Sequence, residues 1–253
     1  SQPCFADVTV SALFSDNMVL QRGMPVPVWG AAADGAPVTV FIQGRKATAL
    51  AANGKWKAVL PPLEAGGPFT LTIEGKKRIT IRNVLVGDVW ICGGQSNMAW
   101  TIDQCHDSKG VRAKANNNRI RLLKLKTVAA TAPTNELTLD DAWAGSWQTA
   151  DASFVGKFSA VGYHFGKDLQ NTLDVPIGLV HANQGSTAAE YWVKQEVLKN
   201  DATLKYLWDE FQYQLDNHDR LEAEFRKRIV EWKKRYPDKD DYVQALRRAR
   251  AKG

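Results

Sequence analysis

Cysteine is scarce in this chain: three residues in 253, at positions 4, 92 and 105. Three thiols make no disulfide framework, and none has metal-ligand spacing. Cys92 lies in an apolar run and reads as core filler. Cys105 lies in a polar stretch, and its pairing stays open. No run of 18 or more apolar residues occurs, so no membrane-spanning helix is expected. The opening SQPCFADVTVSALF lacks the basic and apolar regions of a signal peptide, so the expectation is a leader already removed. Internal repeats and low-complexity segments are absent. Most of the chain also lacks an excess of either charge. The formal net charge is +6, and residues 220–253 alone hold twelve Lys/Arg against six Asp/Glu. The remainder is neutral, which excludes a nucleic-acid footprint spread over the whole protein.

What is present suffices for a sizeable core. Hydrophobic residues make up 44% of a length that suits one large domain or two ordinary ones. Residues 1–82 read as a small β-sandwich. PVTVFIQ alternates, Asn53-Gly54 stands between two strand-like runs, and Glu74-Gly75 stands between FTLTI and the strand that follows. Asn-Gly between alternating runs is a hairpin signal, because both residues tolerate positive φ.

From residue 83 the pattern changes. NVLVGDVWICGG and RIRLLKLK (119–126) read as strands, as does VPIGLVHAN (175–183). FSAVGYHFGKDLQNTL (158–173) reads as a helix whose apolar stripe is Phe158, Val161, Phe165 and Leu169. Strand, helix, strand is the rhythm of a parallel α/β sheet. Residues 202–253 read as charged helices. One stripe holds Leu204, Leu207, Phe211 and Leu215, and another holds Leu221, Phe225, Ile229, Trp232 and Tyr236. A short basic helix restarts after Pro237.

The chemistry-bearing stretch is ICGGQSNMAW, residues 91–100. A serine hydroxyl is a poor nucleophile unless exposed, oriented and deprotonated by a neighbour. A tight turn leaving a parallel strand exposes it at the carboxyl edge of the sheet, where ligands bind. Amides at the start of a following helix then point at a developing oxyanion. The second glycine of a Gly-x-Ser-x-Gly elbow is missing. The other reading of Ser96 is a helix N-cap, for which serine is favoured.

GDVWICGGQSNMAW resembles the first block of the SGNH hydrolase superfamily, in the form found in sialate O-acetylesterase-like proteins. LFSDNMVLQRGMPVPVWGAA and VPIGLVHANQGSTAAEYW resemble the opening and the second block of the same family. The likeness runs from about residue 10 to about residue 195. It implies an SGNH-like (flavodoxin-like) α/β domain at 83–201, after the β module of 1–82 and before a helical insertion at 202–253. It implies an acetylesterase acting on sialate or polysaccharide esters, without metal or cofactor, in the periplasm or secreted. Ser96 would be the nucleophile and an oxyanion donor, and Gly185 a second donor. Gln95, Asn97 and Gln184 would line the site. Gln184 stands where the family usually has glycine.

The family's Asp-x-x-His pair does not follow in the expected place. Of four histidines, His106 closes a literal Asp103-x-x-His106 only ten residues beyond Ser96, in the wrong order. His164 reads as a half-buried packing residue, His181 as a strand-end residue near the pocket and His218 as solvated. The hydrolase domain therefore reads as incomplete, with the acid and base on a missing part or a second polypeptide. The alternative is a non-catalytic carbohydrate-binding piece or degenerate esterase. Trp100, Trp147 and Trp192 are candidates for a sugar platform, and Trp29, Trp56 and Trp90 for core packing.

Overall fold

Strand Arg78–Gly94 runs through one large sheet, pairing antiparallel along its first half and parallel along its second. In a computed structural model, residues 7–128, 137–143 and 145–237 are described. The chain divides into two compact units, residues 1–187 and 188–253. In the first unit the strands are β1 (Val19–Gln21), β2 (Val26–Ala31), β3 (Pro37–Ile42), β4 (Arg45–Leu50) and β5 (Lys55–Leu60). They continue with β6 (Gly66–Glu74), β7 (Arg78–Gly94), β8 (Asn116–Lys124), β9 (Gln148–Asp151) and β10 (Ile177–Asn183). Helices α1 (Ser96–Ala99), α2 (Ser108–Ala113) and α3 (Ala160–Leu173) complete it.

The larger sheet runs β4-β3-β6-β7-β10-β8-β9, with β1 added parallel to the middle of β7. Residues 78–86 of β7 pair antiparallel with β6. Residues 88–94 pair parallel with β10, which pairs parallel with β8. The small antiparallel sheet β2-β5 packs onto the first half. Alternation does the work there. Trp56, Ala58 and Leu60 of β5 point inward and join Val38, Val40, Leu71 and Ile73 in one core, while Lys55 and Lys57 point out.

Asn53-Gly54 forms a tight turn with φ of 54° and 72°, closed by hydrogen bonds between Ala52 and Lys55 in both directions. Its flanks then part: β4 pairs with β3 and β5 with β2, so the turn carries the chain from one sheet to the other. The Glu74-Gly75 turn does join paired strands, with Glu74 opposite Arg78. Strand β7 crosses position 82/83 without a break.

The parallel strands are covered on one face by α3. Ser159 caps it, its Oγ accepting from the Gly162 amide at 3.1 Å, and Asp174 ends it in the left-handed region at φ 51°. Only part of the expected stripe is buried: Phe158 is fully so and Leu169 packs half-buried on the core. Ala160, Gly162, Tyr163, Gly166 and Gln170 are buried, whereas Val161 is 53% and Phe165 42% exposed. The reason is steric. A Cβ on Gly162 would lie 2.7 Å from Cys92 Sγ, and one on Gly166 2.7 Å from Leu179. The two glycines, four apart, form the flat side on which the helix settles closest to β7 and β10.

Between the β module and the parallel sheet lies the buried Arg121 of β8. Its guanidinium donates to the carbonyls of Asn118 and Asn17 and to Asn83 Oδ1. Burial lowers its pKa.

The second unit holds helices α4 (Gln195–Asn200), α5 (Lys205–Asp216) and α6 (His218–Arg235). Lys199 sits over the Trp208 ring at 4.2 Å. No residue of α5 or α6 is buried, and their expected stripes are half-buried or exposed. The short basic helix expected after Pro237 lies outside the described residues. Among the described residues no helix is long and apolar enough to cross a membrane.

Candidate active site

The site starts from register. Asn183 at the end of β10 lies opposite Gly94 at the end of β7, and the strands are parallel. The turns that follow therefore leave the same carboxyl edge side by side. Gly94, at φ 130°, makes the sharp exit that an L-residue would resist. Gln95, Ser96 and Asn97 are all exposed beyond it, with Ser96 the first residue of the one-turn helix α1. The Gln184 amide donates to the Gly94 carbonyl at 3.0 Å and locks the second turn against the first. Half-buried Gly185 then faces the serine: a Cβ there would lie 3.6 Å from Ser96 Oγ and 3.8 Å from its Cα.

Side chains fasten the two turns. Gln95 Oε1 accepts from the Ser96 amide at 2.9 Å, and its Nε2 donates to the Thr187 carbonyl at 3.3 Å. Gln184 Oε1 accepts from the Thr127 hydroxyl at 2.9 Å. Asn183 Nδ2 donates to the Cys92 carbonyl at 3.2 Å. Thr127 and the bridging role of Gln95 escape sequence reasoning, since Thr127 is 57 residues from its partner and no local signal marks it. The Gln184 amide is spent on Gly94, so it is Gly185 that comes next to the serine.

The histidines lie elsewhere. Asp103 accepts from Arg112 at 3.2 Å, and among the described residues it makes no hydrogen bond with His106, which is exposed. His164 is exposed, not half-buried, and leans on the Tyr163 ring. His218 is exposed beside Asp219 at 3.3 Å. His181 does not line an opening. It is 7% exposed and turned into the core against Phe158, and burial, then the nearby Lys124, lower its pKa to about 4. Its Nε2 is buried without a hydrogen bond. Among the described residues no histidine bonds to Ser96. Burial also raises the Cys92 thiol to about 11, so it is no competing nucleophile at neutral pH.

The tryptophans exchange roles in part. Trp147 is 2% exposed, its Nε1 donating to the Leu13 carbonyl at 2.9 Å, so it is core and not platform. Trp90, expected in the core, is 44% exposed and meets Phe165 edge-on at 5.0 Å. Trp56 is buried as expected, and Trp29 is half-buried edge-on to Phe14. Trp100 is 52% exposed one turn after Ser96, and Trp192 is 48% exposed in the second unit. Among the described residues no group of three or more His, Cys, Asp or Glu could hold a metal ion.

Fold and site define a class: a mixed α/β protein whose central sheet presents a serine turn and a glycine turn at one carboxyl edge. Comparison with known proteins narrows this. The family described as carbohydrate esterase, sialic acid-specific acetylesterase, matches residues 86–215, just over half of the chain. Mouse sialate O-acetylesterase is 35% identical over 208 residues, covering 74% of this chain and 38% of the mouse protein. The human protein of that name is 33% identical over 209 residues, covering 75% and 39%. The crystal structure of a carbohydrate acetylesterase from Xanthomonas citri superposes with a TM-score of 0.71 at 39% identity, covering 77% of this chain and 44% of that one. The chain belongs to the sialic acid-specific acetylesterase family of carbohydrate esterases. It spans less than two fifths of the length of these curated relatives.

Proposed function

We propose that this chain carries the nucleophile half of a carbohydrate O-acetylesterase, acting on acetylated sialate or polysaccharide. The observation that supports it most is the closeness of Gly185 to Ser96 Oγ at the carboxyl edge of parallel strands. In this reading Ser96 Oγ attacks the acetyl carbonyl and its proton passes to a histidine held by an aspartate, both on the remaining part of the enzyme or a second polypeptide. The amides of Ser96 and Gly185 donate to the oxyanion. Gln95 Oε1, which accepts from the Ser96 amide, gives way to the substrate oxygen. Collapse expels the sugar hydroxyl, and water, activated by the same histidine, releases acetate. Residues 1–82 serve as a β module, 83–201 as the amino-terminal part of the esterase domain and 202–253 as a helical insertion. A periplasmic or secreted location fits acetylated glycan substrates.

The test is aryl acetate hydrolysis by the complete assembly. Ser96→Ala should lower turnover by roughly a millionfold, the scale seen when a serine nucleophile is removed. Its hydroxyl is exposed and unbonded to any histidine, so folding should be unaffected. Activity that survives Ser96→Ala removes the assignment. A second reading, a glycan-binding piece without turnover, rests on the lack of any histidine bonded to Ser96 among the described residues. It predicts sugar binding with no ester cleavage in the complete assembly.

A further inference from the structure

A single buried hydroxyl ties the serine turn to the helix behind it. Helix α1, which opens on Ser96, is one turn long and contains no fully buried residue. The main chain pins its two flanks. Before it, the Gly94 carbonyl accepts from the Gln184 amide at 3.0 Å. After it, the Trp100 carbonyl accepts from the Ala160 amide at 2.9 Å, and the Ile102 amide donates to the Phe158 carbonyl at 3.1 Å. These anchors do not fix how the turn between them is rotated, and one helical turn is too short to hold itself. Side chains must do that. Gln95 fastens the outer side to the Thr187 carbonyl, and Met98 fastens the inner side.

Met98 is half-buried and packs on the core that includes Cys92, Ile102 and Phe158. Its Cβ is 3.6 Å from the point where a Cβ on Gly94 would stand, so it lies against the bend itself. Its Sδ is 3.2 Å from the Oγ of Ser159, a residue that is fully buried. The same Oγ accepts from the Gly162 amide at 3.1 Å as the N-cap of α3. A hydroxyl carries one proton. With the Gly162 amide approaching as a donor, that proton turns to the thioether, a weak but polarisable acceptor. The chain from the Gly162 N–H through the Ser159 O–H to Met98 Sδ therefore has one direction. It runs from the start of α3 to the residue two places beyond Ser96. Removing the sulfur would strand the hydroxyl proton in the core, which costs more than the bond itself contributes.

We propose that Met98 and Ser159 are positioning residues for the nucleophile: the bond between them sets the rotation of α1, and with it the direction in which Ser96 Oγ leaves the turn. This rests on the reading that Ser96 is the attacking group, and it adds what aims that group. The thioether matters as an acceptor and not as bulk alone, because a hydrocarbon of the same size fills the space but takes no proton. A misplacement of about 1 Å at a reacting atom costs on the order of a hundredfold in rate, so a small rotation of α1 is enough to be read in turnover.

Phenyl acetate hydrolysis by the complete assembly, with kcat and KM separated, tests this. Met98→Leu should lower kcat about 10–100-fold and leave KM within about twofold. Met98→Gln, unbranched and carrying an oxygen acceptor, should recover most of that loss. Ser159→Ala should lower kcat to a similar degree, and the melting temperature too, since it also removes the cap of α3. The double variant should be no slower than the slower single one, as expected for two halves of one interaction. Met24→Leu, at a methionine of the β module that is 53% exposed, should change nothing. An unchanged kcat in Met98→Leu overturns the proposal, as do losses that multiply in the double variant or a loss confined to KM. The bond itself is read in the 253-residue chain from the carbon resonance of the Met98 ε-methyl, which should shift in Ser159→Ala. An unmoved resonance also overturns it. Turnover that survives Ser96→Ala removes the underlying reading, whereas Ser96-dependent turnover indifferent to Met98→Leu removes the positioning role alone.

Discussion

Two halves of one strand behave differently. In residues 78–86 of β7, Ile81 is 4% exposed and Val84 and Val86 are fully buried, with β6 alongside, β1 joining from Leu85, and a second sheet across the core. Ten residues after Ile81, Ile91 is 74% exposed, with β10 as its strand neighbour among the described residues. The same side chain in the same strand is core in one place and surface in the other. An antiparallel module closes with partners a few residues away, joined by short turns. A parallel sheet draws its partners from across long crossovers.

The comparison can be broken most directly at the two isoleucines. Ile81→Ala should destabilise the chain by about 2–5 kcal/mol, the cost of a cavity in a packed core. Ile91→Ala should cost less than about 0.5 kcal/mol, as at an exposed site. Urea melts of the two variants decide it, and similar losses would mean that the second half is packed after all. Next in size is Gly185→Ala. The methyl group would stand 3.6 Å from Ser96 Oγ, in the space assigned to the oxyanion. Turnover of the complete assembly should fall about 10²–10³-fold, the scale of a lost oxyanion donor, with little change in melting temperature.

A smaller effect comes from His181. In the unfolded chain its imidazole titrates near 6.5, and in the fold near 4. Between these values the unfolded state binds the extra proton. Stability is therefore full above about pH 6.5 and is lost as pH falls toward 4, by up to about 3 kcal/mol. His181→Phe should flatten that part of the profile. An unchanged slope would place the acid sensitivity elsewhere.

Local signals carried much of this architecture. The strands around 119–126 and 175–183 and the helix ending at Leu173 follow from periodicity, and the Glu74-Gly75 hairpin from turn chemistry. Partnership was not legible. Asn53-Gly54 shows the turn but not that its flanks enter different sheets. The stripe Val161–Phe165 marks an apolar side of α3, but closest approach is decided by Gly162 and Gly166 against Cys92 and Leu179. Tryptophan burial was misread for the same reason. Trp147 is sealed by the distant Leu13 carbonyl, and Trp90 stands partly out of the fold, edge-on to Phe165. At the candidate site, motif resemblance picked out Ser96 and Gly185, which the register of β7 and β10 places side by side. The clasp of Gln95, Thr187, Gln184 and Thr127 depends on side-chain geometry that no spacing encodes.

The central claim, that Ser96 is the attacking group, is tested most directly by covalent capture. A fluorophosphonate added to the complete assembly while it hydrolyses aryl acetate should leave one adduct, mapped by peptide mass to Ser96, and none in Ser96→Ala. An assembly that turns over acetate yet carries its adduct on another residue, or keeps the adduct in Ser96→Ala, would contradict it.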